Sequence, residues 1–176
     1  MSKKAVKIVI SGPVGAGKTT LIRTLSQTPV VNTDELSTEV IGKTHTTVAL
    51  DFGQIDLGDY MVHIFGTPGQ ERFDFMWDEL SRGALGLLLL VPCDRPEDFP
   101  HARKILEFVT SRHPVPFVIA STRHDIAPKG WQAKDIAKYF NLPEDQVIAI
   151  NAENRESVRS AVVCLMKQVE SAMSAA

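Results

Sequence analysis

Short runs of apolar and β-branched residues recur along the chain, with helix-like patterns between them. The strand-like runs cover residues 6–10, 48–57, 60–65, 85–91, 117–121 and 147–150. The helical patterns include residues 96–110, 131–140 and 155–169. Strands that alternate with helices are typical of α/β proteins with a largely parallel sheet. The sequence therefore predicts six strands with helices on both faces of the sheet.

One pair of strands breaks the alternation. Gly58 and Asp59 separate the second and third runs, and two such residues form a tight hairpin turn. We therefore expect one antiparallel strand at an edge of the sheet. Residues 27–47 lack periodicity and are expected to form a long loop, which in a compact domain is often functional. At 176 residues the chain is predicted to be a single domain, residues 1–176.

The segment that joins the first strand to the first helix has the sequence GPVGAGKT, residues 12–19. Glycines let the backbone curl until successive N–H groups point inward, and the helix that follows adds its positive N-terminal end. Lys18 would neutralise phosphate oxygens, and the Thr19 hydroxyl would reach Mg²⁺. This pattern predicts a three-layer P-loop NTPase fold that binds a nucleoside triphosphate. The predicted phosphate-site residues are Gly12, Val14, Gly15, Ala16, Gly17, Lys18, Thr19 and Thr20.

Composition narrows the class of protein. The chain has 44% hydrophobic residues and 19 basic against 21 acidic side chains, which is ordinary for a globular protein and gives no general attraction to nucleic acid. Cys93 and Cys164 are far apart without metal-binding spacing, so free thiols in a reducing cytoplasm are expected. No apolar run reaches transmembrane length, and no lipid-attachment motif is present, so no direct membrane anchor is expected.

Further polar segments follow the later strands. They are GTPGQ at residues 66–70, TRHD at residues 122–125 and NAE at residues 151–153. In an open α/β sheet ligands bind outside the carboxyl ends of the strands. These segments are therefore expected to surround the same ligand as the phosphate loop.

In their order and position these motifs resemble those of the Ras-like small GTPases. The segments TTVALDFG, residues 46–53, and FGTPGQERF, residues 65–73, are similar to a prokaryotic, MglA-like branch of that family. The resemblance implies a molecular switch that binds GTP or GDP with Mg²⁺ and hydrolyses GTP. It also implies protein partners that act as a GTPase-activating protein, an exchange factor or an effector, among them roadblock/LC7-type proteins.

The resemblance assigns roles to several residues. Thr47, with Thr46 as the alternative, would bind Mg²⁺ together with Thr19 and would sense the γ-phosphate. Gly69 would meet the γ-phosphate through its backbone N–H. Gln70 would be the catalytic residue, because its amide can both accept from and donate to the attacking water.

The base would be recognised at the later strands. Asp125 resembles the aspartate that accepts two hydrogen bonds from guanine, and Ala152 resembles the residue whose backbone N–H meets the guanine carbonyl oxygen. Adenine lacks the paired donor edge, so a carboxylate there would favour guanine. Thr122, Arg123 and Asn151 complete the predicted base site.

Two positions depart from the family pattern. Gly66 stands where an aspartate usually supports Mg²⁺, so either the carboxylate is missing, or Asp51 or Asp94 replaces it, or the position requires glycine for a positive φ. Thr122-Arg123 stands where Asn-Lys is usual. A threonine hydroxyl reaches less far than an amide, and Arg123 could stack on the base.

Two other functions remain open from the sequence. The departures at Gly66 and Thr122 would also suit a nucleotide-binding scaffold that does not hydrolyse GTP. A small P-loop kinase would suit the chain length, although it leaves the GTPGQERF segment unexplained. For a GTPase, slow intrinsic hydrolysis is expected, since no arginine is evidently placed in the sequence to stabilise the transition state.

Overall fold

The computed structural model describes residues 3–26, 31–32, 51–67 and 74–175. Its strands are β1 (Lys4–Ser11), β2 (Val31–Asn32), β3 (Asp51–Leu57), β4 (Tyr60–Gly66), β5 (Gly86–Pro92), β6 (Phe117–Thr122) and β7 (Val147–Ala149). Its α-helices are α1 (Lys18–Leu25), α2 (Asp74–Ser81), α3 (Phe99–Arg112), α4 (Ala133–Phe140) and α5 (Arg155–Ala175).

The strands form one sheet in the order β2-β3-β4-β1-β5-β6-β7. Neighbouring strands from β4 to β7 run parallel, whereas β3 is antiparallel to β4, so the predicted mostly parallel α/β sheet is confirmed. Gly58 has φ 73° in the turn between β3 and β4, a conformation that glycine adopts without strain. The two-residue β2 pairs antiparallel with β3 and adds a seventh, outermost strand that periodicity did not predict, so β3 is not the edge strand that was expected.

Two apolar cores lie on opposite faces of the sheet. Successive strand residues point to opposite sides, so Ile8 and Ile10 of β1 enter one core and Val9 enters the other. Helices α1 and α5 cover the first core, while α3 and α4 cover the second. β5 is buried along its whole length, as expected of a central parallel strand.

Several element boundaries differ from the prediction. Trp131 and Gln132 precede α4 because Gln132 has an extended backbone, with φ −81° and ψ 160°. The Trp131 N–H donates to Cys93 O at 2.9 Å, which ties this segment to the end of β5. Residues 96–98 form a 3-10 turn before α3. Helix α5 continues to Ala175, six residues beyond the predicted end.

The side chain of Trp77 in α2 is fully buried between α2 and α3. Its ring centroid lies 5.6 Å from that of Phe108. This residue therefore packs the core. Within the ranges that the structure describes, no helix is long and apolar enough to cross a membrane.

Candidate functional site

The phosphate loop, residues 12–19, connects β1 to α1. Gly12 passes so close to β5 that a Cβ atom at this position would lie 2.5 Å from Leu90 O. Gly17 has φ 106° at the start of α1, a conformation that side chains rarely tolerate. The loop therefore depends on glycine at both points, and it leads into a helix N-terminus as the sequence predicted.

Lys18 folds back over this loop. Its Nζ donates to Gly12 O at 2.7 Å and to Pro13 O at 2.8 Å. The pKa of Lys18 is lowered to about 8, mainly by burial; the Asp51 carboxylate opposes this shift, and the nearby positive charge of Arg95 adds to it. The Lys18 ammonium thus lies buried beside the loop, and a bound anion would stabilise its charged form.

Thr19 brings a carboxylate to the same place. Its Oγ1 donates to Asp51 Oδ2 at 2.5 Å. Asp51 begins β3 and lies opposite Gly66 in β4, so the two residues face the same side of the sheet. Of the two carboxylates that the sequence offered in place of the usual one, Asp51 lies beside the predicted metal ligand Thr19.

Gly66 does not have a positive φ, so that explanation of the glycine is wrong. It is an extended residue of β4, and a Cβ atom there would lie 2.8 Å from Ile22 Cδ1 and 3.3 Å from Asp51 Cβ. A carboxylate at position 66 would therefore compete for space with Asp51. The position favours glycine through packing.

The loops after β6 and β7 contact the phosphate loop. Thr122, which is buried at the end of β6, donates through Oγ1 to Ala16 O at 2.7 Å. A Cβ atom on Gly17 would lie 3.6 Å from Ala152 Cβ, so the loop after β7 packs against the start of α1. The threonine thus links two loops.

The loop at residues 123–127, which is predicted to bind the base and is here called the base loop, follows Thr122. Arg123 has φ 72° and donates from Nε to Asp94 Oδ1 at 2.8 Å. His124 Nε2 lies 2.6 Å from the buried Ser121 Oγ, and burial lowers the pKa of His124. Asp125 is exposed, and its carboxylate forms no hydrogen bond or ion pair with the residues the structure describes. It is therefore available to accept hydrogen bonds from a ligand.

Asn151 organises its own loop. Its Oδ1 accepts the Glu153 N–H at 2.9 Å, and its N–H donates to Ser157 Oγ at 2.9 Å. The side chain therefore shapes the turn that presents Ala152.

An arginine that the sequence did not single out lies on the outside of the phosphate loop. Arg95 Nη2 donates to Gly15 O at 2.7 Å and to Val14 O at 3.3 Å. Its neighbour Asp94 is paired with Arg123, which leaves Asp51 the better placed of the two alternative carboxylates. The sequence feature that could have identified Arg95 is its position after the carboxyl end of β5, the strand next to β1.

Four of the predicted residues, Thr46, Thr47, Gly69 and Gln70, lie outside the described residues. Val14 and Thr20 are exposed, and Thr20 O accepts the Thr24 hydroxyl at 2.8 Å within α1. The remaining predicted residues of the site meet at the carboxyl ends of β1, β6 and β7.

Comparison with known proteins agrees with this geometry. The sequence profile of a family described as conserved hypothetical ATP-binding proteins matches residues 29–175. The chain belongs to this family. Membership supports nucleotide binding, and it does so from residues beyond the phosphate loop, which the match does not include.

One relative is an uncharacterized protein of Methanocaldococcus jannaschii, MJ1339. It is 34% identical to this chain over 98 residues, which cover 54% of this chain and 56% of that protein. The chain thus spans about half the length of this curated relative.

Proposed function

We propose that this member of the ATP-binding family is a guanine-nucleotide-binding switch that hydrolyses GTP to GDP and phosphate. The observation that carries the proposal is the joining of three loops around one site. Thr122 ties the base loop to the phosphate loop at 2.7 Å, Ala152 lies against Gly17, and the exposed Asp125 carboxylate follows two residues after Arg123. This arrangement suits a purine nucleotide whose base points toward Asp125.

The choice of guanine rests on the chemistry of Asp125. An ionised carboxylate only accepts hydrogen bonds, and guanine offers two adjacent donors, its N1–H and its exocyclic amine. Adenine would leave acceptors unmatched, and polar mismatches of this kind discriminate strongly. The family description names ATP, so the identity of the base is the point to test first.

The oxygen donors near the phosphate loop fit Mg²⁺, which binds carboxylates, hydroxyls and phosphate oxygens. Thr19 and Asp51 would hold the ion beside the phosphates, with Thr47 as the further ligand that the family resemblance implies. The ion would neutralise charge on the β- and γ-phosphate oxygens. Lys18 would contribute a second positive charge once it exchanges the Gly12 and Pro13 carbonyl oxygens for phosphate oxygens.

Hydrolysis would depend on residues outside the described ranges. Gln70 would orient the attacking water, and Gly69 and Thr47 would contact the γ-phosphate. We expect a low intrinsic rate, with a partner such as a roadblock/LC7-type protein completing the site. We further propose that residues 1–176 act as a single cytoplasmic domain.

Competition titrations would test the base first. A fluorescent GTP analogue is bound to the native protein and displaced with unlabelled GTP or ATP. The proposal predicts that GTP displaces the analogue at concentrations at least about a hundredfold below ATP, because adenine would leave the carboxylate oxygens of Asp125 without donors. Tighter binding of ATP would refute the guanine assignment and would make an ATP-binding protein the better description.

Single-turnover phosphate release would test hydrolysis. Gln70→Leu keeps much of the side-chain volume but cannot orient water, so the variant should bind GTP normally and lose hydrolysis. Gln132→Leu, an exposed glutamine before α4, is a matched control. A Gln70 variant as fast as the native protein would favour the scaffold that does not hydrolyse GTP.

A further inference from the structure

The end of β5 lies between the two halves of the proposed nucleotide site. In the sheet β5 is flanked by β1, which leads into the phosphate loop, and by β6, which leads into the base loop. Asp94 and Arg95 lie two and three residues after the end of β5 and can therefore reach a different neighbour on each side. The structure shows contacts to both.

Arg95 contacts the phosphate loop. Its Nη2 donates to Gly15 O at 2.7 Å and to Val14 O at 3.3 Å, and a Cβ atom on Gly15 would lie 2.8 Å from the same nitrogen. Gly15 has φ 79°, so the guanidinium packs against backbone that only glycine adopts easily. Arg95 thus holds the outer side of the loop whose inner side would face phosphate.

Asp94 contacts the base loop. Its Oδ1 accepts the Arg123 Nε–H at 2.8 Å, and this pairing lowers the pKa of Asp94, so the contact is a charge-assisted hydrogen bond at neutral pH. Arg123 lies two residues before Asp125 and has a positive φ of 72°. The ion pair therefore fixes an unusual backbone conformation next to the proposed base-recognising carboxylate.

The segment that carries both residues is itself held in place. The Asp98 N–H donates to Arg95 O at 2.9 Å, and Asp98 Oδ2 lies 3.6 Å from Arg95 Nε. The Cys93 N–H donates to Thr122 O at 3.0 Å, which anchors the segment to the end of β6. Pro96 follows directly and restricts the backbone of Arg95. The segment is therefore fixed in contact with both loops.

We propose that Asp94 and Arg95 form a bridge, here the Asp94–Arg95 bridge, that couples the base loop to the phosphate loop and slows nucleotide release. Both are positioning residues, because they act through Arg123 and through the phosphate-loop backbone. The proposal rests on nucleotide binding at this site and does not require that the base be guanine.

The test uses Asp94→Asn, Arg95→Gln and the double variant of the full chain. Release of a fluorescent GDP analogue is followed after mixing with excess GDP. Each single change should speed release about tenfold, the order expected when one charge-assisted contact is lost. Because a bridge cut at either end is already broken, the double variant should also release about tenfold faster. The exposed Arg159→Gln, on α5, is the control for a lost arginine and should release at the native rate.

A second measurement distinguishes coupling between the two loops from an effect that is confined to the base loop. Inorganic pyrophosphate has no base, and the Asp94 side chain contacts the base loop, so Asp94→Asn should weaken pyrophosphate binding only if the bridge transmits. We expect about a threefold loss by competition. A conservative variant, Arg95→Lys, keeps one positively charged donor and should restore part of the slow release.

Three results would overturn the bridge: unchanged release in both single variants, a double variant near the product of the two effects, or unchanged pyrophosphate affinity in Asp94→Asn. If the native protein did not bind the GDP analogue, the guanine proposal would fail instead. The same series would then be measured with a fluorescent ADP analogue, and the same three results would decide the bridge.

Discussion

The two halves of the candidate site are built in different ways. The phosphate half is a continuous segment, residues 12–19, whose shape comes from backbone and glycine conformations. The base half is assembled from distant residues, with Thr122 bonded to Ala16 across 106 positions and Arg123 paired with Asp94 across 29. A contiguous motif can be recognised from sequence with its geometry implied, whereas the contacts of an assembled site are visible only once the strands are in place.

The difference extends to how each half tolerates change. In the phosphate half Gly12 and Gly17 have no substitutes, because a Cβ atom would meet Leu90 O or would require a strained φ. In the base half the links are side-chain contacts, from Thr122 to Ala16 O and from Arg123 to Asp94. Replacing such a side chain would remove a contact but would not force a steric clash.

The largest effect is expected in the phosphate half. Lys18→Ala removes the charge beside the loop and should weaken GTP binding more than about a hundredfold, the loss typical of a strong charged contact. The fold should persist, because the ammonium is unfavourably buried in the free protein. Lys167→Ala, an exposed lysine of α5, serves as the control.

Titration with the fluorescent GTP analogue and thermal unfolding would measure both expectations. A Lys18→Ala variant that is folded and binds the analogue as tightly as the native protein would show that the phosphates lie elsewhere.

The next effect concerns Mg²⁺ affinity and tests whether Asp51, rather than position 66, provides the carboxylate of the Mg²⁺ site. Asp51→Asn keeps the hydrogen bond to Thr19 but removes the charge, so Mg²⁺ affinity measured through GDP release should fall about 10- to 100-fold. Asp56→Asn, at the other end of β3, should have no effect. Gly66→Asp should not tighten Mg²⁺ binding, because the added side chain would crowd Ile22 and Asp51.

Tighter Mg²⁺ binding in Gly66→Asp together with unchanged binding in Asp51→Asn would reverse this assignment. The Mg²⁺ site of the native protein would then lack a carboxylate at position 66.

A pH dependence should follow from Lys18. Its pKa of about 8 in the free protein should rise when phosphate binds, so binding takes up a proton and affinity is lost as pH rises through 8. Between pH 7 and pH 9 the affinity for the GTP analogue should fall about tenfold. Lys18→Arg stays charged throughout this range, so any pH dependence of affinity that this variant retains arises from ionisation of the nucleotide. A native profile as flat as that of the variant would contradict the lowered pKa.

The smallest effect is expected at the link between the two halves. Thr122→Val removes the hydroxyl and leaves Ala16 O without this donor, which should cost about 1 kcal/mol of stability and about fivefold in GTP affinity. Thr110→Val is a matched control, since Thr110 also donates to a carbonyl oxygen, Leu106 O, at 2.7 Å within α3. Equal losses of GTP affinity in both variants would mean that Thr122 has no specific role in nucleotide binding.

The sequence predicted the α/β class, the hairpin at Gly58 and the phosphate loop because each is encoded by neighbouring residues. It named Asp51 only as one of two alternatives, since nothing local shows that β3 pairs with β4 so as to bring Asp51 beside Thr19. Arg95 was missed for the same reason. Its contacts with Val14 and Gly15 depend on β5 lying next to β1 in the sheet.

The central claim is that the Asp125 carboxylate recognises a guanine base in a nucleotide whose phosphates are bound by the phosphate loop. Its most direct test is the affinity of the native protein and of Asp125→Asn for GTP and for xanthosine triphosphate, with the exposed Asp135→Asn of α4 as control. We predict that the native protein prefers GTP and that the variant prefers xanthosine triphosphate, because the new amide can donate to the extra carbonyl of xanthine. Equal GTP affinity in the native protein and in Asp125→Asn would contradict the claim.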